Sequence, residues 1–177
     1  MIEEQAAEQR RTGVVLEYEQ QHGDLVAAVR LILGKRKSGF VYRPPFVVTL
    51  GLLGVAMIVL DVAQGEPKIS SFLVPLYAVL LYFWPHLAAR RLLRANAHQG
   101  PLRVTVDEEG VRAVGAQAEV RTTWRNYGSY AENDGVFVLR SPDRAGRCAN
   151  VLVKRGAADP ADIDRLRDLI AANLPKV

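Results

Sequence analysis

The residues best equipped to bind a ligand are basic. Arg140, Arg144, Arg147, Lys154 and Arg155 cluster in the sequence and could hold an anionic lipid head group or a small anionic molecule through charge-assisted hydrogen bonds. Asp143 lies among them, and residues 104–177 balance eleven basic side chains with eleven acidic ones, which favours a solvated face. Catalytic chemistry has less to stand on. His22, His86 and His98 are scattered, and the chain has no metal-ligand pair spacing, no nucleophile elbow and no phosphate-binding glycine loop. The single cysteine, Cys148, excludes an intramolecular disulfide and a cysteine-rich zinc site. Its place in an alternating segment suits a buried thiol better than a nucleophile. Asp107, Glu108 and Glu109 form an acidic run without the EF-hand pattern, at a turn where carboxylates are solvated. The expectation is a protein that is not an enzyme, with no catalytic residues, cofactor or metal.

The elements that would position these residues are organised around charge. Residues 30–43 carry Arg30, Lys35, Arg36, Lys37 and Arg43 with no acid, and residues 86–103 carry Arg90, Arg91, Arg94 and Arg103 with no acid. The net charge of +4 is thus concentrated in two blocks, and the neutral C-terminal region argues against a nucleic-acid-binding surface. Between the blocks lies the most apolar part of the chain. Residues 45–63 and 69–89 are almost free of charge and are separated only by a short Gly- and Pro-containing loop. At 1.5 Å per residue each reaches roughly 30 Å, the thickness of a bilayer's hydrocarbon core. The pattern predicts a transmembrane helical hairpin, because all-round apolar helices of this length are rare in small soluble proteins.

Lys35, Arg36, Lys37 and Arg43 before the first span, with Arg90, Arg91 and Arg94 after the second, act as topology determinants. They place both termini in the cytoplasm. Tyr42, Tyr82, Phe83 and Trp84 fall near the inner interface, and Pro85 is expected to end or bend the second span. Asp61 and His86 are ionisable groups close to span ends, where interfacial roles are simpler than ion relay. Gly51 and Gly54 would let the two helices approach closely. The N-terminus lacks the features of a cleaved signal peptide, so targeting would come from the internal segments.

The remaining chain reads as a small α+β unit. A strand over 12–19 and a helix from Leu25 to about Lys37, capped by Asp24, precede the hairpin, and a juxtamembrane helix over 90–102 follows it. Period-two alternation predicts strands over 103–107, 111–114, 118–124, 127–132, 136–140 and 148–154, with Trp124 as a structural anchor in the core or at the sheet edge. Asp159 and Pro160 open a C-terminal helix whose Ile163, Leu166, Ile170 and Leu174 form one apolar stripe. The expected fold is a membrane hairpin, 44–89, between a cytoplasmic strand and helix, 1–43, and a small antiparallel half-barrel capped by a helix, 103–177. The early strand is expected to complete that later sheet.

VVLEYEQQHGDLVAAVR before two adjacent spans, VTVDEEGVRA, the Trp124 segment TTWRNYGSYAENDGVFVL, and NVLVKRG followed by ADPADIDRLRDLI together resemble the YcxB-like membrane proteins. The resemblance covers most of the chain from Val14 onward. It implies a pleckstrin-homology-like (PH-like) C-terminal fold, split by the membrane hairpin, and no established enzymatic activity; the charge pattern gives an inner cell-membrane location, and five Lys against eighteen Arg point to a bacterial source. The short charged loop over 141–147 has no role assigned by that resemblance. The functional expectation is a membrane-anchored, cytoplasm-facing interaction or regulatory module with the bilayer and an unidentified protein as partners, or a homo-oligomer. The alternatives are a sensor using the basic 140–155 region, and an accessory subunit of a membrane transporter.

Overall fold

The structure is a computed structural model, and it describes residues 13–34, 39–65, 68–143 and 149–177. Strand β1, Val14–Tyr18, is followed by helix α1, His22–Gly34, and then by two long helices, α2 over Pro44–Ala63 and α3 over Ile69–Asn96. Six strands come next: β2, Leu102–Val106; β3, Gly110–Val114; β4, Glu119–Thr123; β5, Ser129–Glu132; β6, Val136–Arg140; and β7, Ala149–Val153. Helix α4, Pro160–Asn173, closes the fold.

The strands form two open antiparallel sheets, ordered β1-β2-β3-β4 and β5-β6-β7. No closed barrel is formed by the described strands. β1 joins the later strands as the sequence requires, with Val14 opposite Val106 and Tyr18 opposite Leu102. The alternation explains the register, since Val14, Leu16 and Tyr18 face inward beside Val106, Val104 and Leu102. All five residues of β6 are buried, so this strand is covered on both faces. One apolar core joins both sheets to Leu166 and Ile170 of α4 and to Leu174 just beyond its end. Asp159 caps that helix by accepting the Ala161 amide at 2.8 Å, with Pro160 in the first turn.

Turn chemistry fixes the connections. Asp107 Oδ1 accepts the amides of Glu109 and Gly110 at 2.9 and 3.0 Å, and Asn133 Oδ1 accepts those of Gly135 and Val136 at 3.1 and 2.9 Å. Gly110 has φ of 151°, and a Cβ there would collide with the Thr122 carbonyl on the neighbouring strand. The acidic run at 107–109 is therefore a turn-forming device.

Both long helices are long and apolar enough to cross a membrane, and most of their apolar residues are exposed. They touch where small residues allow it: a Cβ on Gly54 would lie 2.6 Å from Pro75 Cδ, and Gly51 faces Ala78. The buried Ser71 hydroxyl donates to the Asp61 carboxylate, so this acid ties the two helices together near the loop. α3 does not stop at Pro85. It continues through a run rich in Leu, Ala and Arg to Asn96, so the separate helix expected at 90–102 is its extension, ending in a short 3-10 turn over Ala97–Gln99. α1 also begins earlier than expected. Asp24 occupies the third helical position and its carboxylate reaches back to the Gln21 amide at 2.9 Å, the reciprocal half of a capping box rather than the cap itself.

Candidate functional site

Helix α1 is the junction between the long helices and the sheets. Leu25 and Val26 pack on Ala89 and Leu93 of α3, while Ala27, Ala28, Leu31 and Ile32 pack into the sheet core. Its start is pinned from the sheet side by Arg155. That guanidinium donates to Asp24 Oδ2 and, at 2.7 Å, to the Glu19 carbonyl.

The basic residues singled out by sequence are dispersed. Arg144, Arg147 and Cys148 lie outside the described residues, as do Lys35, Arg36 and Lys37. Lys154 and Arg155 are adjacent but point to different partners: Arg155 to α1, Lys154 to Glu132. Arg140 sits at the other end of the β6-β7 hairpin, opposite Ala149, whereas Lys154 follows Val153, opposite Val136. Five residues at about 3.3 Å each separate them by roughly 16 Å. Arg140 is buried, and its Nε has no hydrogen-bond partner. Arg43, Arg90, Arg91 and Arg94 are exposed along the sheet-side ends of α2 and α3.

Lys154 instead belongs to a charge cluster around one mostly buried carboxylate, which sequence reasoning missed. Glu132 Oε1 accepts from Lys154 Nζ and Arg167 Nε, each at 2.9 Å, and Oε2 from Lys176 Nζ at 2.8 Å. The side chain is only 8% exposed. Burial pushes its carboxyl up, but the donors from Lys154, Lys176 and Arg167 together outweigh it and bring the pKa from 4.5 to about 2. Lys154 Nζ also lies 4.6 Å from the centroid of the Phe137 ring. The cluster therefore bolts β5, the end of β7, α4 and the C-terminal tail together. That tail adds to the edge of β5, with the Tyr130 amide donating to the Pro175 carbonyl and the Val177 amide donating to the Tyr130 carbonyl.

The tail covers the edge of β5, while β4 is an outer strand of the first sheet and β7 of the second. β4 pairs only with β3 in the sheet, and Val120 at its centre is 56% exposed. Glu119 and Arg121 flank Val120 and pair with Arg112 and Glu109. Such an edge can accept an extended peptide by strand addition, the charges discouraging indiscriminate pairing. Trp124 anchors the end of β4: it is buried and its Nε1 donates to the Asp107 carbonyl at 3.1 Å.

Two histidines separated by most of the hairpin also meet. The rings of His22 in α1 and His86 in α3 are 6.0 Å apart, with Tyr82 stacked on His86, and both Nδ1 atoms are buried without a hydrogen-bond partner. Nothing in the linear spacing signals this pair. It follows only once α1 is known to lie against α3. Among the described residues no group of three or more His, Cys, Asp or Glu could hold a metal ion. No family model matches the chain, and no curated protein matches it in sequence.

Proposed function

We propose that this protein is a membrane-anchored, cytoplasm-facing module that holds a PH-like sheet domain against the inner surface of a bacterial cell membrane and acts by binding another protein, without catalysis. The carrying observation is where exposed apolar surface sits. Among the described residues, apart from Phe40, Val114, Val120 and Val177, every large exposed hydrophobic side chain is on α2 or α3. Core helices of a soluble protein would be covered, and a bilayer supplies that cover. The 20 residues of α2 reach about 30 Å, and the longer α3 carries Arg90, Arg91 and Arg94 beyond that length, on the side of the sheets. With Arg43 at the same end, the positive-inside rule supports a cytoplasmic sheet domain and cytoplasmic termini.

The early strand, the hairpin, the two open antiparallel sheets and the terminal amphipathic helix support a YcxB-like, PH-like reading. β4 is the docking edge, and α1 fixes its distance from the bilayer. The test combines two measurements on the full chain. Alkaline extraction should leave it in the membrane pellet, with reporters at both termini facing the cytoplasm; release by alkali would end the membrane reading. A photo-crosslinking residue at Val120 should yield a discrete adduct that one at Asn173 on α4 does not. Equal labelling at both positions would remove β4 as the docking edge.

A further inference from the structure

The cytoplasmic end of the hairpin encloses a cleft unrelated to the β4 edge. It measures about 200 Å³ and is lined by Arg30 of α1, Tyr42 and Arg43 before α2, Val47 of α2, and Tyr82 and Pro85 of α3. Its wall is fixed by backbone packing, since a Cβ on Gly39 would strike the Gly34 carbonyl. Among the described residues neither Arg30 nor Arg43 is in an ion pair, and no carboxylate lines the cleft. Two arginines that make no ion pair among the described residues thus line one largely apolar space from separate elements. The start of α2 adds the positive end of a 20-residue helix dipole, with prolines in its first positions and no side-chain cap.

We propose that this cleft binds the phosphate of an anionic glycerophospholipid, with Arg30 and Arg43 pairing with its oxygens. The choice of a lipid over a free phosphate follows from position. The cleft lies where the exposed apolar band begins, beside Val48 and Phe83, so an acyl chain leaving the head group has a surface to follow. Tyr42 and Tyr82 supply rings of the kind that settle at head-group level, and basic pockets between spans on the cytoplasmic side are suited to anionic head groups. The proposal rests on the membrane reading above, which alkaline extraction tests independently of lipid preference.

The experiment uses the full chain in an uncharged detergent, titrated with phosphatidylglycerol or phosphatidylcholine and read by native mass spectrometry. The wild type is expected to bind phosphatidylglycerol at least tenfold more tightly. Arg30→Gln/Arg43→Gln should bring the two lipids within about twofold, a loss consistent with removing two charge-assisted contacts, while Arg91→Gln/Arg94→Gln keeps the preference. Retention of the preference by the first variant overturns the proposal. So does an equal loss in the second, which means diffuse charge, or displacement of the lipid by equimolar inorganic phosphate, which means a free-anion site. If the glutamine pair fails to fold, Arg30→Lys/Arg43→Lys keeps the charge and removes the planar fork. A loss of about threefold or more is then expected, and no loss overturns the assignment.

Discussion

Replacing Glu132 by Gln would test whether one buried carboxylate holds four parts of the sheet domain together. The change keeps the size and removes the charge that Lys154, Arg167 and Lys176 share. The fall of the Glu132 pKa from 4.5 to about 2 corresponds to about 3 kcal/mol at neutral pH. Arg167 and Lys176 are partly in solvent, at 37% and 57% exposure, and screening lowers the expected loss to about 2 kcal/mol. Lys154, 11% exposed, is left without its partner, which adds to the cost rather than reducing it. Thermal unfolding of the full chain in detergent should show Glu132→Gln melting roughly 4–8 °C lower at pH 7.

The pH dependence supplies a second, signed readout. A carboxylate with a lowered folded-state pKa stabilises the fold fully above its unfolded value, and that contribution is lost as pH falls through the folded value. The wild type should therefore lose its advantage over Glu132→Gln between about pH 4.5 and 2, and the two should converge at the acid end. A variant within about 0.5 kcal/mol of wild type at pH 7, the ordinary range for surface substitutions, would refute the assignment of the cluster as a bolt. So would a difference that stays constant down to pH 2.

Further outcomes follow from the same contacts. Gly110→Ala should destabilise the sheet domain by about 2 kcal/mol, measured by chemical denaturation, because the backbone there has φ of 151° against the Thr122 carbonyl. Gly51→Cys/Ala78→Cys, in a chain whose Cys148 is Ser, should form an intramolecular disulfide on mild oxidation. A Cβ on Gly51 lies 3.9 Å from that of Ala78, within disulfide range, and adding Gly54→Val should suppress the crosslink. Arg155→Ala should speed amide exchange in the first turns of α1, since it removes the donor to Asp24 and to the Glu19 carbonyl, while exchange in β2 and β3 stays as in wild type.

The backbone plan was legible because local chemistry and pattern agreed. The alternation of Val104, Val106 and Val111 and the Asx turns at Asp107 and Asn133 mark strands and their reversals. Asp159-Pro160 marks a helix start. Long-range partnership was not legible in this way. Alternation says which face a side chain takes, not what lies opposite, so Lys154 and Arg155 read as one basic patch although one bonds to Glu132 and the other to Asp24. Glu132 gave no signal because its three cations come from separate segments. Pro85 left open whether the second span ended or bent there, and the helix runs on past it to Asn96. The cleft between Arg30 and Arg43 required knowing that α1 returns to the base of α2.

The interruption of the first sheet by the hairpin bears on how the protein is made. β1 leaves the ribosome first, yet its partner β2 begins only at Leu102, after both long helices have been synthesised. Once α2 has entered a bilayer, β1 and β2 share a compartment only if α3 also inserts, in the opposite direction. A chain that inserted one helix alone would strand β1 across the membrane from β2 and leave Leu16 and Tyr18 uncovered. On the proposed two-span topology, completion of the first sheet would thus depend on both long helices being threaded correctly.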